Sequence, residues 1–156
     1  MNLLIDIGNS FTHIAVHNGN RITYSQKAHT SEKKQVTLLL KSISGKFEIS
    51  SIAIASVSPQ AFKAIQQYTL DNFKLKPLSV NNKIQLPIKI KVKKSVTLGA
   101  DRICNAVYGN EIAGGRSNVL VMDLGTANTY DLVLKNGDFV GGIIAPGIMT
   151  SSKALN

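Results

Sequence analysis

The first eighty residues alternate between short apolar runs and polar turns. This pattern predicts strands at residues 3–5, 12–17, 21–28, 49–57 and 76–80, and helices at residues 30–45 and 60–73. Asn18-Gly19 lies between two extended runs, which is typical of a hairpin turn. Ser58-Pro59 supplies a helix cap and a first-turn proline for the second helix. The order of these elements predicts an α/β domain with a mixed sheet.

Residues 88–93 alternate strictly between branched apolar residues and lysine. One interpretation is a strand whose lysines lie on an outer face or at an edge of the sheet, where they prevent unwanted pairing. The other is a basic stripe that binds nucleic acid. We favour the edge strand because no aromatic residue is interleaved for base stacking.

The sequence after residue 96 predicts a second series of helices and strands. A helix is expected from residue 97 or 98 to 113, ended by Gly114-Gly115. Residues 119–122 predict a buried strand, followed by strands at 129–134 and 139–147 and a helix at 149–155. Cys104 and Tyr108 are expected to pack inside the molecule from the first of these helices.

Both halves of the chain open with the same pattern. An apolar strand leads into Asp6-Ile-Gly8-Asn9-Ser10 in the first half and into Asp123-Leu-Gly125-Thr126-Ala127 in the second. An aspartate at a strand end can hold a cation, and glycine lets a phosphate approach backbone N–H groups. The repeat therefore predicts two half-domains that bind phosphate between them. The alternative is that Asp-x-Gly is only a common turn at a strand end.

A third motif, Gly99-Ala100-Asp101-Arg102, lies near the start of the predicted third helix. Backbone N–H groups at a helix N-terminus favour anions, and an adjacent acid and base suit substrate binding or proton transfer. The alternative is an aspartate that only balances the helix dipole.

Composition narrows the class of protein. The 156 residues have 44% hydrophobic and 17% charged residues, which is typical of a soluble globular protein of one domain or two small ones. The net charge of +9 comes mostly from lysine, so nucleic acid is not an expected partner. A single cysteine favours a reducing, cytoplasmic location, and no apolar run is long enough for a membrane partner.

The motifs together resemble the type III pantothenate kinases of the acetate kinase/Hsc70/actin-like superfamily. The resemblance rests on the two Asp-x-Gly motifs, on residues 98–102, on Thr129 and Asp131, and on the glycine-rich run 141–147. It implies an α/β fold of duplicated, ribonuclease H-like (actin-like ATPase) half-domains with a mixed sheet. The implied division is a first half-domain at residues 1–96, a linking and interface helix at 97–115, and the start of an incomplete second half at 116–156.

The resemblance also implies a kinase that transfers phosphate from ATP to pantothenate, with Mg²⁺ and a monovalent cation, K⁺ or NH₄⁺. Asp101 is implied as the general base, Asp123 as the ligand of the monovalent cation, and Asp6 as the ligand of Mg²⁺. Pantothenate is expected to contact Gly99, Ala100, Asp101 and Arg102. ATP is expected to contact Asp6, Ile7, Gly8, Asn9, Ser10, Phe11, Thr12, His13 and Thr126. The family is dimeric, so a homodimer is expected.

Three departures from the family pattern bear on these expectations. Val92 and Ser95 stand where family members usually carry tyrosine and proline. Family chains also continue past the position of Asn156, so the second half is expected to be incomplete. The alternative function is a non-catalytic nucleotide-binding or transcriptional accessory protein of the same fold.

Overall fold

A computed structural model describes residues 1–93 and 95–155 of the chain. The chain divides into two compact units, residues 1–80 and 81–156. No helix in the described part has the length and apolar character needed to cross a membrane.

The first unit is a five-stranded mixed sheet with two helices. Its elements are β1 (Asn2–Ile7), β2 (Phe11–His17), β3 (Ile22–His29), α1 (Lys33–Ser44), β4 (Ser51–Ser56), α2 (Pro59–Phe73) and β5 (Leu78–Ser79). The strand order is β3-β2-β1-β4-β5, with β1 antiparallel to β2 and parallel to β4. These elements confirm the predicted α/β order, including Ser58 as the cap of α2.

The core of this unit lies on one face of the sheet. Leu3, Ile5 and Ile7 alternate along β1 and are buried, together with Val36 and Leu40 of α1. Because side chains alternate across a strand, the polar residues between them lie on the opposite face. That second face is exposed at Asp6, His13 and Lys27, among others.

The second unit is a four-stranded sheet with one long and one short helix. Its elements are β6 (Lys89–Ile90), α3 (Ala100–Ala113), β7 (Val119–Leu124), β8 (Ala127–Val133), β9 (Asp138–Pro146) and α4 (Ile148–Leu155), and the strand order is β6-β9-β8-β7. A 3₁₀ turn at Ser95–Thr97 precedes α3, which therefore begins later than predicted. Gly114 ends α3 in the left-handed conformation, as predicted.

Residues 119–122 form a strand as predicted, but the prediction that this strand is buried is wrong. Leu120 and Met122 of β7 are 59% and 61% exposed. The physical reason is that β7 is the last strand in the order of its sheet, and α3 packs against only one of its faces in the described residues. The expectation that Cys104 and Tyr108 are packed inside is also wrong, since both side chains are exposed.

The lysine-alternating segment forms a strand only at Lys89–Ile90. This strand is the other end of the sheet order, and it pairs in parallel with β9. Ile88 is buried whereas Lys89 and Lys91 are exposed, so the alternation of faces holds. The preferred interpretation of an edge strand with outward lysines is therefore confirmed for these residues.

The pairing of β6 with β9 moves residues 81–96 into the second compact unit. The first unit consequently ends at Val80, before the predicted half-domain boundary at residue 96. The division into half-domains at 1–96 and 116–156 with a linking helix at 97–115 stays a prediction.

The sequence repeat corresponds to a repeated structure. Strands β1, β2 and β3 form an antiparallel meander followed by α1, and β7, β8 and β9 form the same meander followed by α4. In each copy, the N–H of the glycine in the first loop donates to a backbone carbonyl two or three residues later, from Gly8 to Phe11 and from Gly125 to Ala127.

Gly142 lies where β8 and β9 are in close contact. A Cβ at this position would lie 1.9 Å from the Tyr130 carbonyl oxygen and 2.8 Å from the Asp131 Cα. Since these are backbone atoms, Gly142→Ala must separate β8 from β9, and we expect it to lower the free energy of unfolding by about 1–3 kcal/mol. Urea denaturation followed by circular dichroism measures this loss.

Gly125→Ala is the matched control, because its new Cβ would meet its nearest heavy atom at 3.6 Å and its φ angle lies outside the left-handed region. Equal stability of the two variants would contradict the close contact at Gly142.

Candidate active site

The loop between β1 and β2 is held in place by Thr30, the residue directly after β3. Thr30 Oγ1 donates to the Gly8 carbonyl at 2.8 Å, and the Thr30 N–H donates to the Ser10 carbonyl at 3.0 Å. Because this donation uses the one hydroxyl proton of Thr30, Thr12 Oγ1 must donate in its 3.1 Å contact with Thr30 Oγ1. The loop is therefore attached at both ends of its turn.

The residues predicted to bind ATP alternate between the two faces of this hairpin. Asp6, Asn9 and His13 are exposed, and Gly8, Ser10 and Phe11 are half-buried. Ile7 and Thr12 are completely buried, facing the helices. Neither of these two side chains is accessible to a ligand.

Thr126 lies in the corresponding loop of the second unit. Its carbonyl accepts hydrogen bonds from the Gly147 N–H at 3.0 Å and from Thr150 Oγ1 at 2.7 Å. Gly147 is needed here, because a Cβ would lie 1.9 Å from the Gly125 carbonyl oxygen. The start of α4 thus holds the second loop as Thr30 holds the first.

The Gly99–Arg102 motif forms the N-terminal turn of α3. Gly99 caps the helix in an extended conformation, Ala100 is buried, and Asp101 is the second helical residue. The Asp101 carboxylate accepts the Arg102 N–H at 2.8 Å. Asp101 itself is half-exposed, so its carboxylate is accessible to a ligand at the helix N-terminus.

Arg102 makes the only ion pair among the described residues, with Asp131 of β8. Its Nε donates to both carboxylate oxygens at 3.0 and 3.1 Å, and its Nη2 donates to Oδ1. Asp131 is 1% exposed, and the guanidinium lies 5.9 Å from the centre of the Phe139 ring. The hydrogen bond to Asp131 raises the pKa of Arg102 above its usual value, against the opposing effect of burial. Arg102 therefore stays charged and in one orientation.

Asp123 lies beside α3 on the neighbouring strand β7. Its Oδ2 accepts a hydrogen bond from the Asn105 amide at 2.8 Å. Directly across the strand pair from Asp123 is Thr129, which is 8% exposed. Within the described residues, Thr129 Oγ1 is the one buried side-chain polar atom without a hydrogen-bond partner.

A cation of low charge fits this pair of residues. A carboxylate and an unpaired hydroxyl oxygen are the kind of hard oxygen ligands that alkali and alkaline-earth cations take, and an orphaned buried polar atom indicates a missing partner. In the described chain, no group of three or more His, Cys, Asp or Glu residues could hold a metal ion. A cation held here would therefore have Asp123 as its one carboxylate ligand, with the Thr129 hydroxyl oxygen beside it.

Three residues of this region lie outside the predicted site. Asn105 orients Asp123, and Asp131 orients Arg102. The sequence indicates Asp131 and Thr129 only through the family resemblance. Asn105 is detectable in the sequence because it follows Asp101 by four residues and so shares its helix face. The Arg102–Asp131 contact spans 29 residues and has no such local signature.

The departures from the family pattern lie around the core of the second unit. Val92, at the usual tyrosine position, packs against the cluster of Ile88, Ala106, Val133 and Phe139. Its methyl group approaches Gly141, where a Cβ would lie 3.0 Å from Val92 Cγ1. Ser95 begins the 3₁₀ turn before α3.

Solved structures resemble the chain in fold. The structure of a putative Baf family transcriptional activator from Campylobacter jejuni has a TM-score of 0.57 at 20% sequence identity. The match covers 97% of this chain and 58% of the activator chain. A Ppx/GppA family member from Aquifex aeolicus has a TM-score of 0.54 at 13% identity, covering 97% and 53%. Together with the duplicated meander, this likeness defines an actin-like α/β fold of the ribonuclease H type.

Sequence comparison identifies the family within that class. The family model for type III pantothenate kinase matches residues 2–156, and the chain therefore belongs to the type III pantothenate kinase family. A type III pantothenate kinase from Agathobacter rectalis is 39% identical, and one from Geobacillus thermodenitrificans is 35% identical. Each alignment covers 99% of this chain and 62% of the relative, so the chain spans about three fifths of the length of these relatives.

Proposed function

We propose that this protein phosphorylates the primary hydroxyl of pantothenate with ATP, giving 4'-phosphopantothenate, the first step of coenzyme A biosynthesis. The observation that carries the proposal is the family match over residues 2–156, which includes an accessible Asp101 beside an oriented Arg102. Phosphoryl transfer depends mainly on positioning and charge neutralisation, and a carboxylate base with cationic neighbours is sufficient for it.

In this reaction the hydroxyl oxygen of pantothenate forms a bond to the γ-phosphorus, and the bond to the β–γ bridging oxygen breaks. Asp101 takes the hydroxyl proton, and Arg102, with Gly99 and Ala100, binds pantothenate. ADP leaves with the electron pair of the broken bond. Support for these roles comes from the half-exposed position of Asp101 and from the buried pair that orients Arg102.

The ATP phosphates lie on the loop from Asp6 to His13 and near Thr126 in this proposal. Asp6 holds Mg²⁺, which when bound neutralises phosphate charge. A single protein carboxylate suits Mg²⁺, because this ion usually keeps several waters and is bound through one or two carboxylates plus substrate phosphates. The attachment of the loop by Thr30 supports a fixed phosphate site.

Asp123 holds K⁺ or NH₄⁺ in this proposal, and Thr129 Oγ1 is a second ligand. The protein acts as a cytoplasmic homodimer, without nucleic acid or membrane as a partner. The alternative of a non-catalytic regulatory protein is not favoured, because the matched family and the curated relatives are kinases. The Baf family likeness is one of fold alone.

The proposal is tested by measuring ADP formation from ATP and Mg²⁺ with and without pantothenate, in KCl or in NaCl of equal ionic strength. Pantothenate-dependent turnover that needs K⁺ is the expected result. Stabilisation by ATP against heat without any phosphoryl transfer would support the regulatory alternative instead. Transfer to another alcohol but not to pantothenate would contradict the substrate.

The cation site makes a separate prediction about Asn105. Because the Asn105 amide orients the Asp123 carboxylate, we expect Asn105→Ala to raise the K⁺ concentration for half-maximal activity by about tenfold, as outer partners of metal ligands usually do. The measurement is a KCl titration of the rate.

Asn110→Ala on the same helix is the control and is expected to leave the KCl titration unchanged. A lower rate of Asn105→Ala at every KCl concentration, with no change in the half-maximal value, would contradict a cation at Asp123.

A further inference from the structure

The exposed face of the first sheet carries a row of polar residues at the end nearest the Gly8 loop. In the strand register, Asp6 of β1 pairs with His13 of β2, and His13 pairs with Lys27 of β3. All three side chains are exposed on the face opposite the helices. Since neighbouring strands lie about 4.8 Å apart, the Lys27 backbone is about 10 Å from that of Asp6.

The position of the Lys27 ammonium is defined by an aromatic pair. Phe11 and His29 are paired in the register, and their rings stack with centroids 4.3 Å apart. Lys27 Nζ lies 4.8 Å from the centre of the Phe11 ring, within the range of a cation–π contact. The Phe11 carbonyl accepts the hydrogen bond from the Gly8 N–H that forms the turn. The Lys27 ammonium therefore lies beside the loop.

In the described part of the chain this ammonium forms no ion pair with a carboxylate, since the single ion pair there joins Arg102 to Asp131 of the second unit. A polyphosphate placed on the loop carries several negative charges, which makes a nearby positive charge favourable. The sequence also has no P-loop lysine, the residue that contacts the β- and γ-phosphates in many nucleotide-binding proteins.

We propose that Lys27 binds the terminal phosphates of a nucleoside triphosphate held on the Gly8 loop, with its ammonium positioned by the Phe11 ring. The inference rests on the proposed function for the location of ATP. It adds a residue from β3, outside the hairpin of residues 6–13, as the source of positive charge. Lysine binds phosphate as a point charge on a flexible stem, so arginine can replace it here.

The test is isothermal titration of the full chain with ATP and Mg²⁺ and, separately, with inorganic triphosphate. Lys27→Met is expected to weaken both by about 10-fold to 100-fold, the range for hydrogen bonds to charged groups. Lys63→Met, on α2 at the helical face, removes the same charge and is expected to leave both affinities unchanged. Lys27→Arg is expected to bind within about threefold of the parent protein.

Each result has a distinct meaning. Equal affinities of Lys27→Met and Lys63→Met overturn the inference but leave the proposed kinase function standing. Lys27-dependent binding of triphosphate without pantothenate phosphorylation supports the inference and contradicts the kinase. Weak binding by Lys27→Arg as well as Lys27→Met assigns the effect to packing on Phe11 and overturns the inference, as does a parent protein that binds neither ligand.

Discussion

Replacing Asp101 by asparagine is expected to lower the rate of pantothenate phosphorylation by about 100-fold to 10,000-fold, the usual contribution of a positioned acid–base group. Asparagine keeps the shape of the side chain, and its amide oxygen can still accept the Arg102 N–H that Asp101 accepts at 2.8 Å. The helix start is therefore preserved while the proton acceptor is lost. The measurement is the initial rate at saturating ATP and pantothenate.

Glu111→Gln is the matched control, because it removes one exposed carboxylate from the same helix. It is expected to keep the parent rate. The melting temperatures of both variants should equal that of the parent protein. Turnover of Asp101→Asn within about threefold of the parent rate would show that another group takes the proton.

Removing the Asp131 carboxylate is expected to be the most destabilising change in the second unit. Asp131→Ala leaves the half-buried Arg102 guanidinium without its carboxylate partner, and breaking a buried ion pair on one side costs about 3–5 kcal/mol of unfolding free energy. Urea denaturation measures the loss. Because the same pair orients Arg102, pantothenate binding is expected to weaken as well.

A double-mutant cycle separates the pair from the packing around it. Arg102→Met combined with Asp131→Ala removes both charges, so the double variant is expected to be more stable than the sum of the two single losses predicts. Additive losses would mean that the two side chains contribute independently. In that case the destabilisation would be assigned to lost packing against Phe139 and not to the ion pair.

The first unit could be predicted almost completely from the sequence because each of its elements has a local pattern. Leu3, Ile5 and Ile7 alternate as a half-buried strand does, and Val36, Leu40 and Ile43 recur with the period of a helix. The Asn18-Gly19 turn joins β2 to β3. At these six apolar residues the pattern of burial and the pattern of hydrophobicity agree, whereas Leu38 of α1 is 60% exposed.

The second unit shows where a local pattern is insufficient. Residues 119–122 are continuously apolar and look like an interior strand, yet their exposure depends on which neighbours lie beside β7. Similarly, apolar residues and lysines alternate over residues 88–93 as in a strand, but the parallel partner β9 pairs with only two of these residues. Strand neighbours and pairing length are set by distant parts of the chain.

The same limit applies to the candidate site. The Asp-x-Gly motifs and the Gly99–Arg102 turn are local and were visible in the sequence. The partner of Arg102, the partner of Asp123 and the unpaired hydroxyl of Thr129 arise from contacts between elements. Lys27 reaches the Gly8 loop only through the register of three strands.

The attachment of the Gly8 loop by Thr30 has a consequence for the entropy of binding. A mobile glycine loop loses conformational freedom when it closes around a ligand, and that loss subtracts from affinity. Here the carbonyls of Gly8 and Ser10 are already bonded to Thr30. The loop therefore has little freedom left to lose, and more of the attraction between its N–H groups and an anion appears as affinity.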